Sequence, residues 1–230
     1  MIYTRKQDCL RIFRYESPVT VLGPFKRAVI WVQGCEFACP GCIVPESWNA
    51  AGGEAITLTE LASWILAQPD IEGITLSGGE PMLQAGALAS LIDTIRQSKD
   101  LGVMCYTGYR FEQLQRRGTA DQKLLCDRID LLVDGTYIAS LHEDLLWRGS
   151  SNQRLLLLTN RYRQVLMQQL EMGDRSAGME FGIDLAGAFY FTGVPPRKGF
   201  RAEFEAGMQR RGIRIAKADR VDSSDMPPQR

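Results

Sequence analysis

Ala28-Val29-Ile30-Trp31-Val32-Gln33 runs without a break into Gly34-Cys35-Glu36-Phe37-Ala38-Cys39-Pro40-Gly41-Cys42. The first six residues form a continuous apolar run of strand length, rich in β-branched and aromatic side chains, as strands buried on both faces do. Three cysteines at C-x-x-x-C-x-x-C spacing follow at once. They therefore sit at the strand's C-terminal end, the functional edge of parallel α/β folds. Three thiolates this close read as an iron–sulfur ligand loop. A 4Fe–4S cube usually takes four thiolates, so three leave one iron open for substrate chemistry. Zinc prefers a fourth N or S donor. The other candidates, Cys9, Cys105, Cys126 and the sole histidine, His142, stand singly and at a distance in the chain.

Downstream the pattern becomes strand, loop, helix, repeated. Thr57-Leu58-Thr59-Glu60 reads as a capping box, with Leu58, Leu61, Ile65 and Leu66 as the helical stripe that ends near Gln68-Pro69. Ile74 to Ser77 is a second short strand. Leu83 to Gln97 repeats apolar residues at helical spacing, and Val103 to Thr107 is a third strand. Phe111 to Arg117 and Lys123 to Arg128 are helical by pattern. Ile129 to Val133 is a fourth strand ending at Asp134-Gly135, and Arg154 to Leu158 a fifth. This is the rhythm of βα units with right-handed crossovers. Five units are too few for a closed eight-strand barrel, so the expected fold is α/β, an open, partial (βα) barrel. Leu10 to Tyr15 gives a short leading strand, broken by Ser17-Pro18.

After Leu158 the pattern changes to a C-terminal extension: a helix over Arg161 to Glu171, a hairpin of Phe181 to Leu185 and Phe189 to Thr192, and a helix over Phe200 to Arg211. Ile213 to Ala216 reads as a final strand. The division is a core over 10–158, the extension over 159–216 and a polar, frayed tail over 217–230.

Composition bounds the function. The chain has 230 residues, 45% of them hydrophobic, enough for one domain with a real core. Lys+Arg and Asp+Glu are both 27, so the net charge is zero, which argues against a nucleic-acid binder relying on a basic field. No run has the length of a transmembrane helix and the polar N-terminus is no signal peptide, so the expected setting is the cytoplasm. Six cysteines in a reducing compartment favour metal ligation over disulfides. Lys26-Arg27, before the first buried strand, either binds an acidic group or flanks the strand.

Gly78-Gly79-Glu80-Pro81 ends the second strand, and its two glycines let the backbone pass close to a ligand. Thr107 and Asp134 end the next strands and converge on the same face. Arg148-Gly149-Ser150-Ser151-Asn152-Gln153-Arg154 packs hydrogen-bonding side chains around one glycine.

Taken together, Cys35, Cys39 and Cys42, followed one βα unit later by Gly78 to Pro81, resemble the signature of the radical S-adenosylmethionine (SAM) enzymes. The run Gly23 to Gly34, together with Tyr106-Thr107-Gly108-Tyr109, Leu132-Val133-Asp134-Gly135 and the 148–154 stretch, is similar to one branch, the activating enzymes of anaerobic ribonucleotide reductase. Two positions depart: Gly41 stands where many radical SAM proteins carry an aromatic residue before the third cysteine, and Ile43 where this branch often has one.

The resemblance implies a 4Fe–4S cluster on Cys35, Cys39 and Cys42, with SAM chelating the open iron. It implies a SAM pocket built from Gly78, Gly79, Glu80, Pro81, Thr107, Asp134, Arg148 and Ser150. Gly78 to Pro81 would hold the SAM amino group, and Arg148 is the candidate for its carboxylate. The implied reaction cleaves SAM reductively and abstracts hydrogen from a glycine of a glycyl-radical enzyme, with a flavodoxin or ferredoxin as electron donor. The alternatives are the same chemistry on a peptide or small metabolite, or a non-catalytic metal-binding module.

Overall fold

A computed structural model describes residues 8–183 and 189–213. In chain order the elements begin with strands β1 (Cys9–Val19), β2 (Arg27–Val32) and β3 (Glu54–Thr57), helix α1 (Leu58–Leu66) and strand β4 (Gly73–Gly78). Next come α2 (Ala85–Arg96), β5 (Gly102–Thr107), α3 (Phe111–Arg117), α4 (Ala120–Cys126) and β6 (Leu131–Asp134). The short hairpin β7 (His142–Leu145) and β8 (Arg148–Ser150) leads to β9 (Arg154–Leu157). Then follow α5 (Arg163–Met172), the hairpin β10 (Met179–Ile183) and β11 (Phe189–Gly193), and α6 (Phe200–Arg210).

The main sheet has the order β3-β1-β2-β4-β5-β6-β9. Its centre, β2, β4, β5 and β6, is parallel, and β1, β3 and β9 join antiparallel. The sheet is open, as expected for a partial α/β barrel. Period-two alternation along β2 sorts its side chains. Ala28, Ile30 and Val32 face a core built with Leu61 and Ile65 of α1, Leu88 and Ile92 of α2, Leu114 of α3 and Leu125 of α4. Val29 and Trp31 face the opposite side with Val19 and Leu22. Each such aliphatic side chain contributes about 1.5–3 kcal/mol on burial. Helix α1 opens on the expected capping box: the Glu60 amide donates to the Thr57 hydroxyl at 3.2 Å, and the Thr57 amide to the Glu60 carboxylate at 3.0 Å.

Three expectations change. β1 does not stop at Ser17-Pro18 but runs to Val19. Its pairing with β2 shifts register between Glu16 and Val19, so the proline without an N–H falls where the ladder is already irregular. The Arg154 to Leu157 strand is not a fifth βα unit. Only a single 3-10 turn (Ala139–Leu141) and the β7–β8 hairpin lie between it and β6, with no crossover α-helix, so it returns antiparallel. Arg27 neither binds an acidic group nor merely flanks the strand. It is fully buried, with Nε donating to the Thr75 hydroxyl at 2.6 Å, Nη1 to Pro24 O and the Tyr162 hydroxyl, each at 2.9 Å, and Nη2 to Ile74 O at 2.5 Å and Gly102 O at 3.1 Å. It ties together the N-terminal ends of three parallel strands, away from the cysteine loop.

The extension has the helix–hairpin–helix order read from the sequence. Phe200 and Phe204 of α6 pack on Phe181, Phe189 and Phe191 of the β10–β11 hairpin, with ring centroids 5.3–6.4 Å apart. The Ala186-Gly187 turn, the strand expected over Ile213 to Ala216 beyond its first residue, and the polar tail lie outside the described residues.

Candidate active site

The cysteine loop leaves β2 and folds back on residues 44–49. The Gly34 amide donates to Ser47 O at 2.8 Å, Cys35 to Trp48 O at 3.1 Å and Cys42 to Cys39 O at 3.0 Å. The Gln33 amide group supports the return by donating to Glu46 O at 3.0 Å and Asn49 O at 2.7 Å. Left-handed backbone at Ala38 (φ 44°) and Gly41 (φ 81°) makes the reversals. The three cysteines thereby line one cavity of about 470 Å³.

All three thiols are free and half-buried. Burial is the first cause that raises each thiol's pKa. For Cys39 the charges of Cys42 and Cys35 come next, so the sulfurs lie within one another's field. Among the described residues no three His, Cys, Asp or Glu side chains converge tightly enough for a single metal ion. Three thiol donors in one cavity, with no fourth cysteine among its lining residues, suit a multi-iron cluster with one iron left open.

Gly78 to Pro81 lies directly against this loop. The Gly79 amide donates to Val32 O and the Glu80 amide to Gly34 O, both at 2.8 Å. A Cβ on Gly79 would sit 2.1 Å from Gly34 O, so the glycine is needed for two backbones to touch. Gly78, Gly79 and Glu80 line the cavity with the cysteines; Pro81 is buried beside it. The Glu80 carboxylate is fully buried. It accepts from the Met82 amide at 2.9 Å, the Thr107 hydroxyl at 2.8 Å and the Gly108 amide at 2.8 Å. Burial pushes its pKa up to about 7 against the pull of those donors. Thr107 also lines the cavity.

Phe37, between the first two cysteines, explains the glycine of Tyr106-Thr107-Gly108-Tyr109. A Cβ on Gly108 would meet the Phe37 ring at 2.5 Å. The Tyr109 ring packs edge-on against Phe37 at 5.0 Å, and its hydroxyl donates to Glu36.

Asp134, Arg148 and Ser150 do not line the cavity. The Asp134 carboxylate is buried and accepts from the Phe111 amide at 2.8 Å and from the Arg154 guanidinium, with Nε at 2.9 Å. Arg148 pairs with Asp174. The Ser150 hydroxyl accepts from the Ile138 amide at 3.2 Å. The 148–154 stretch is an internal staple for the loop after β6: Asn152 donates to Thr136 O at 2.8 Å and Gln153 to Gly135 O at 3.0 Å. Gly149 and Gln153 reach the cavity wall.

Several lining residues were not singled out from the sequence. The Arg14 guanidinium lies 4.1 Å over the Trp31 ring and donates to the Thr192 hydroxyl at 3.0 Å. A bulge in β1 puts it there. The β1–β2 register shifts between Ile12 and Arg14, so Leu10, Ile12 and Tyr15 all face the helices while Phe13 and Arg14 turn to the other side. His142, read as structural or surface, lines the cavity with Tyr137, whose hydroxyl is 3.2 Å from His142 Nδ1. Residues of β11, α6 and the loop between them, Thr192, Val194 and Arg201 among them, form another wall. No periodicity could announce that, because it depends on where the extension packs.

Residues 21–156 match the family model described as a 4Fe-4S single cluster domain. The anaerobic ribonucleoside-triphosphate reductase-activating protein of Enterobacteria phage T4 is 35% identical over 141 residues, 59% of this chain and 86% of that one. The protein of the same name from Escherichia coli K12 is 35% identical over 147 residues, 59% of this chain and 92% of that one. That from Salmonella typhimurium is 34% identical over 155 residues, 63% and 96% respectively. Among solved structures, QueE from Escherichia coli superposes with a TM-score of 0.42 at 12% identity, covering 90% of this chain and 92% of that chain.

Proposed function

The chain belongs to the 4Fe-4S single cluster domain family and to the anaerobic ribonucleoside-triphosphate reductase-activating proteins, and from that premise we propose that it is a radical SAM enzyme that activates a glycyl-radical partner. Cys35, Cys39 and Cys42 would hold a 4Fe–4S cluster, which would supply one-electron chemistry toward SAM for hydrogen abstraction from a glycine Cα of the partner. Gly78 and Gly79 bring the backbone of the second strand end beside the cysteine loop, where they would bind the SAM amino group. Glu80 and Thr107 fix the spacing of the two strand ends, and Asp134, Arg148 and Ser150 shape the pocket from behind by holding the loops that line it. The apolar walls, Trp31 and Tyr106 among them, exclude water from the reacting atoms.

The observation that carries this reading is the hydrogen bond from the Glu80 amide to Gly34 O at 2.8 Å, which joins the ligand loop to the glycine pair at the rim of one cavity. A flavodoxin or ferredoxin is the expected reductant and the cytoplasm the expected setting. Among the described residues no helix is long and apolar enough to cross a membrane.

Anaerobic reconstitution tests the proposal. About four irons per chain are expected, with 5′-deoxyadenosine formed on reduction in the presence of SAM and a glycyl radical formed on the partner. Retention of a single zinc with no SAM cleavage would overturn it. A second reading, the same chemistry on a peptide or small metabolite, is favoured by the wall that β11 and α6 add to the cavity. It predicts SAM cleavage that no glycyl-radical enzyme stimulates.

A further inference from the structure

The family match ends at residue 156, yet the chain beyond it reaches the cysteine loop. Arg201 lies on α6 and uses all three guanidinium nitrogens. Nη1 donates to Ile43 O at 2.8 Å and to Glu46 at 2.8 Å, Nη2 to the other Glu46 oxygen, and Nε to Glu205 at 2.7 Å on its own helix. Ile43 is the residue after Cys42, and Glu46 lies on the same arm of the loop. Arg201 is three-quarters buried, with its side chain 25% exposed, so these bonds are poorly screened.

The helix that carries Arg201 is itself anchored. Its Phe200 and Phe204 pack on the β10–β11 hairpin. The hairpin is tied to β1, where the Thr192 hydroxyl donates to Glu16 at 2.8 Å and the Thr20 amide donates to Glu180 at 2.9 Å. The cysteine loop is thus supported by two parts of the chain. The core holds its Cys35 end through the Tyr109–Glu36 bond, and holds the far part of the Cys42 arm through Gly34, Cys35 and Gln33, which donate to Ser47, Trp48 and Glu46 carbonyls. The extension adds Arg201, which reaches Ile43 O next to Cys42 and the Glu46 side chain.

We propose that Arg201 is a positioning residue for the Cys42 arm, and that through it the C-terminal extension serves as part of the cluster site, holding the third ligand's backbone and placing a cation beside the cluster. The proposal rests on the reading of Cys35, Cys39 and Cys42 as cluster ligands. A fixed positive charge at this place would favour the reduced cluster, and without it the Glu205 carboxylate, which lines the same cavity, would stand unneutralised there.

The test compares R201Q, R201K and E46Q with the unaltered protein. In reconstituted protein, R201Q is expected to lower the cluster's reduction potential, followed by its spectroscopic signal, and to speed iron loss to a chelator by about tenfold, the effect of one lost charge-assisted contact. R201K should restore the potential, because the charge remains, but not the full retention of iron, because the planar fork is gone. In metal-free protein, hydrogen exchange over residues 43–48 should rise in R201Q and in E46Q alike, with the exchange of β4 and β5 unchanged. Unaltered exchange over 43–48 in both variants overturns the proposal, as does an R201Q cluster with unchanged potential and iron retention. If the unaltered protein takes up no cluster, the parent reading fails, and the metal-free exchange still decides whether Arg201 holds the loop.

Discussion

Glu80 reaches from the end of β4 to the end of β5, where its carboxylate accepts the Thr107 hydroxyl at 2.8 Å while its own amide donates to Gly34 O. One residue thus sets the distance between the ligand loop and two strand ends. In E80Q one carboxylate oxygen becomes an amide that faces a donor, either Gly108 N–H or the Met82 and Thr107 pair. The expected cost is about 1–3 kcal/mol, read by urea denaturation of the reduced, metal-free protein, with SAM cleavage falling in the reconstituted enzyme. A variant with unchanged stability and cleavage would show that the carboxylate does not set this spacing.

The same carboxyl makes stability depend on pH. Burial raises its pKa from 4.5 to about 7 in the folded protein. The folded state therefore holds the proton more tightly than the unfolded chain. The resulting stabilisation is fully present below about pH 4.5 and is lost as pH rises through about 7, a change of about 3 kcal/mol across the window. Denaturation at several pH values should show that fall in the unaltered protein and lose it in E80Q. An identical slope in both would place the titration elsewhere.

Gly108 is required by Phe37, not by its own backbone angle. G108A should push the ring and its loop aside at a cost of about 1–3 kcal/mol, and iron uptake should drop. The double variant G108A/F37L, which frees the space, should recover uptake. Failure of the second change to help would mean that the glycine serves another contact.

Arg154 neutralises a carboxylate that has no access to water. Asp134 is 0% exposed and also lies 3.5 Å from Arg110, whose side chain is 44% exposed. R154M leaves Asp134 the Arg110 guanidinium and the Phe111 amide, so it should destabilise the protein by about 1–3 kcal/mol, the cost of lost charged hydrogen bonds and less than that of a fully stranded charge. R154M/D134N should regain most of it. Thermal melts of the single and double variants form the cycle, and additivity would rule the coupling out.

Thr192 bridges Arg14 and Glu16 of β1 to the hairpin. T192V keeps the shape and removes both bonds, at an expected cost of about 1–3 kcal/mol. The loss should appear as faster hydrogen exchange in β10 and β11, with that of β5 unchanged.

The central strands were legible because each is buried on both faces and needs a continuous apolar run. Ala28 to Gln33, Ile74 to Ser77 and Val103 to Thr107 differ from the observed strands by a residue at their ends. The cysteine loop was legible from its spacing and its place after a buried strand, whereas Gly78 to Pro81 reads as an ordinary turn until its resemblance to the radical SAM signature pairs it with those cysteines. β9 was misread because strand content says nothing of direction, which the connection decides. β3 (Glu-Ala-Ile-Thr) and β7 (His-Glu-Asp-Leu) lack the continuous apolar run that makes the equally short β6 and β9 stand out as strands. Asp134 and Arg148 carry the residue types of a ligand pocket, yet their charges are met by Arg154 and Asp174, whose positions no local pattern reveals.

The surplus residue between Ile12 and Arg14, Phe13, stands outside the pairing of the first strand. Were Phe13 lost, Ile12 would still meet Val32, Arg14 would still meet Trp31 and Tyr15 would still meet Ile30, each on the face it now occupies. Tyr15 would keep its edge-on stacking with Trp64, 4.6 Å between centroids. A single-codon deletion at this point should therefore be tolerated better than one elsewhere in the strand, where the shift would turn the side chains beyond it to the opposite face.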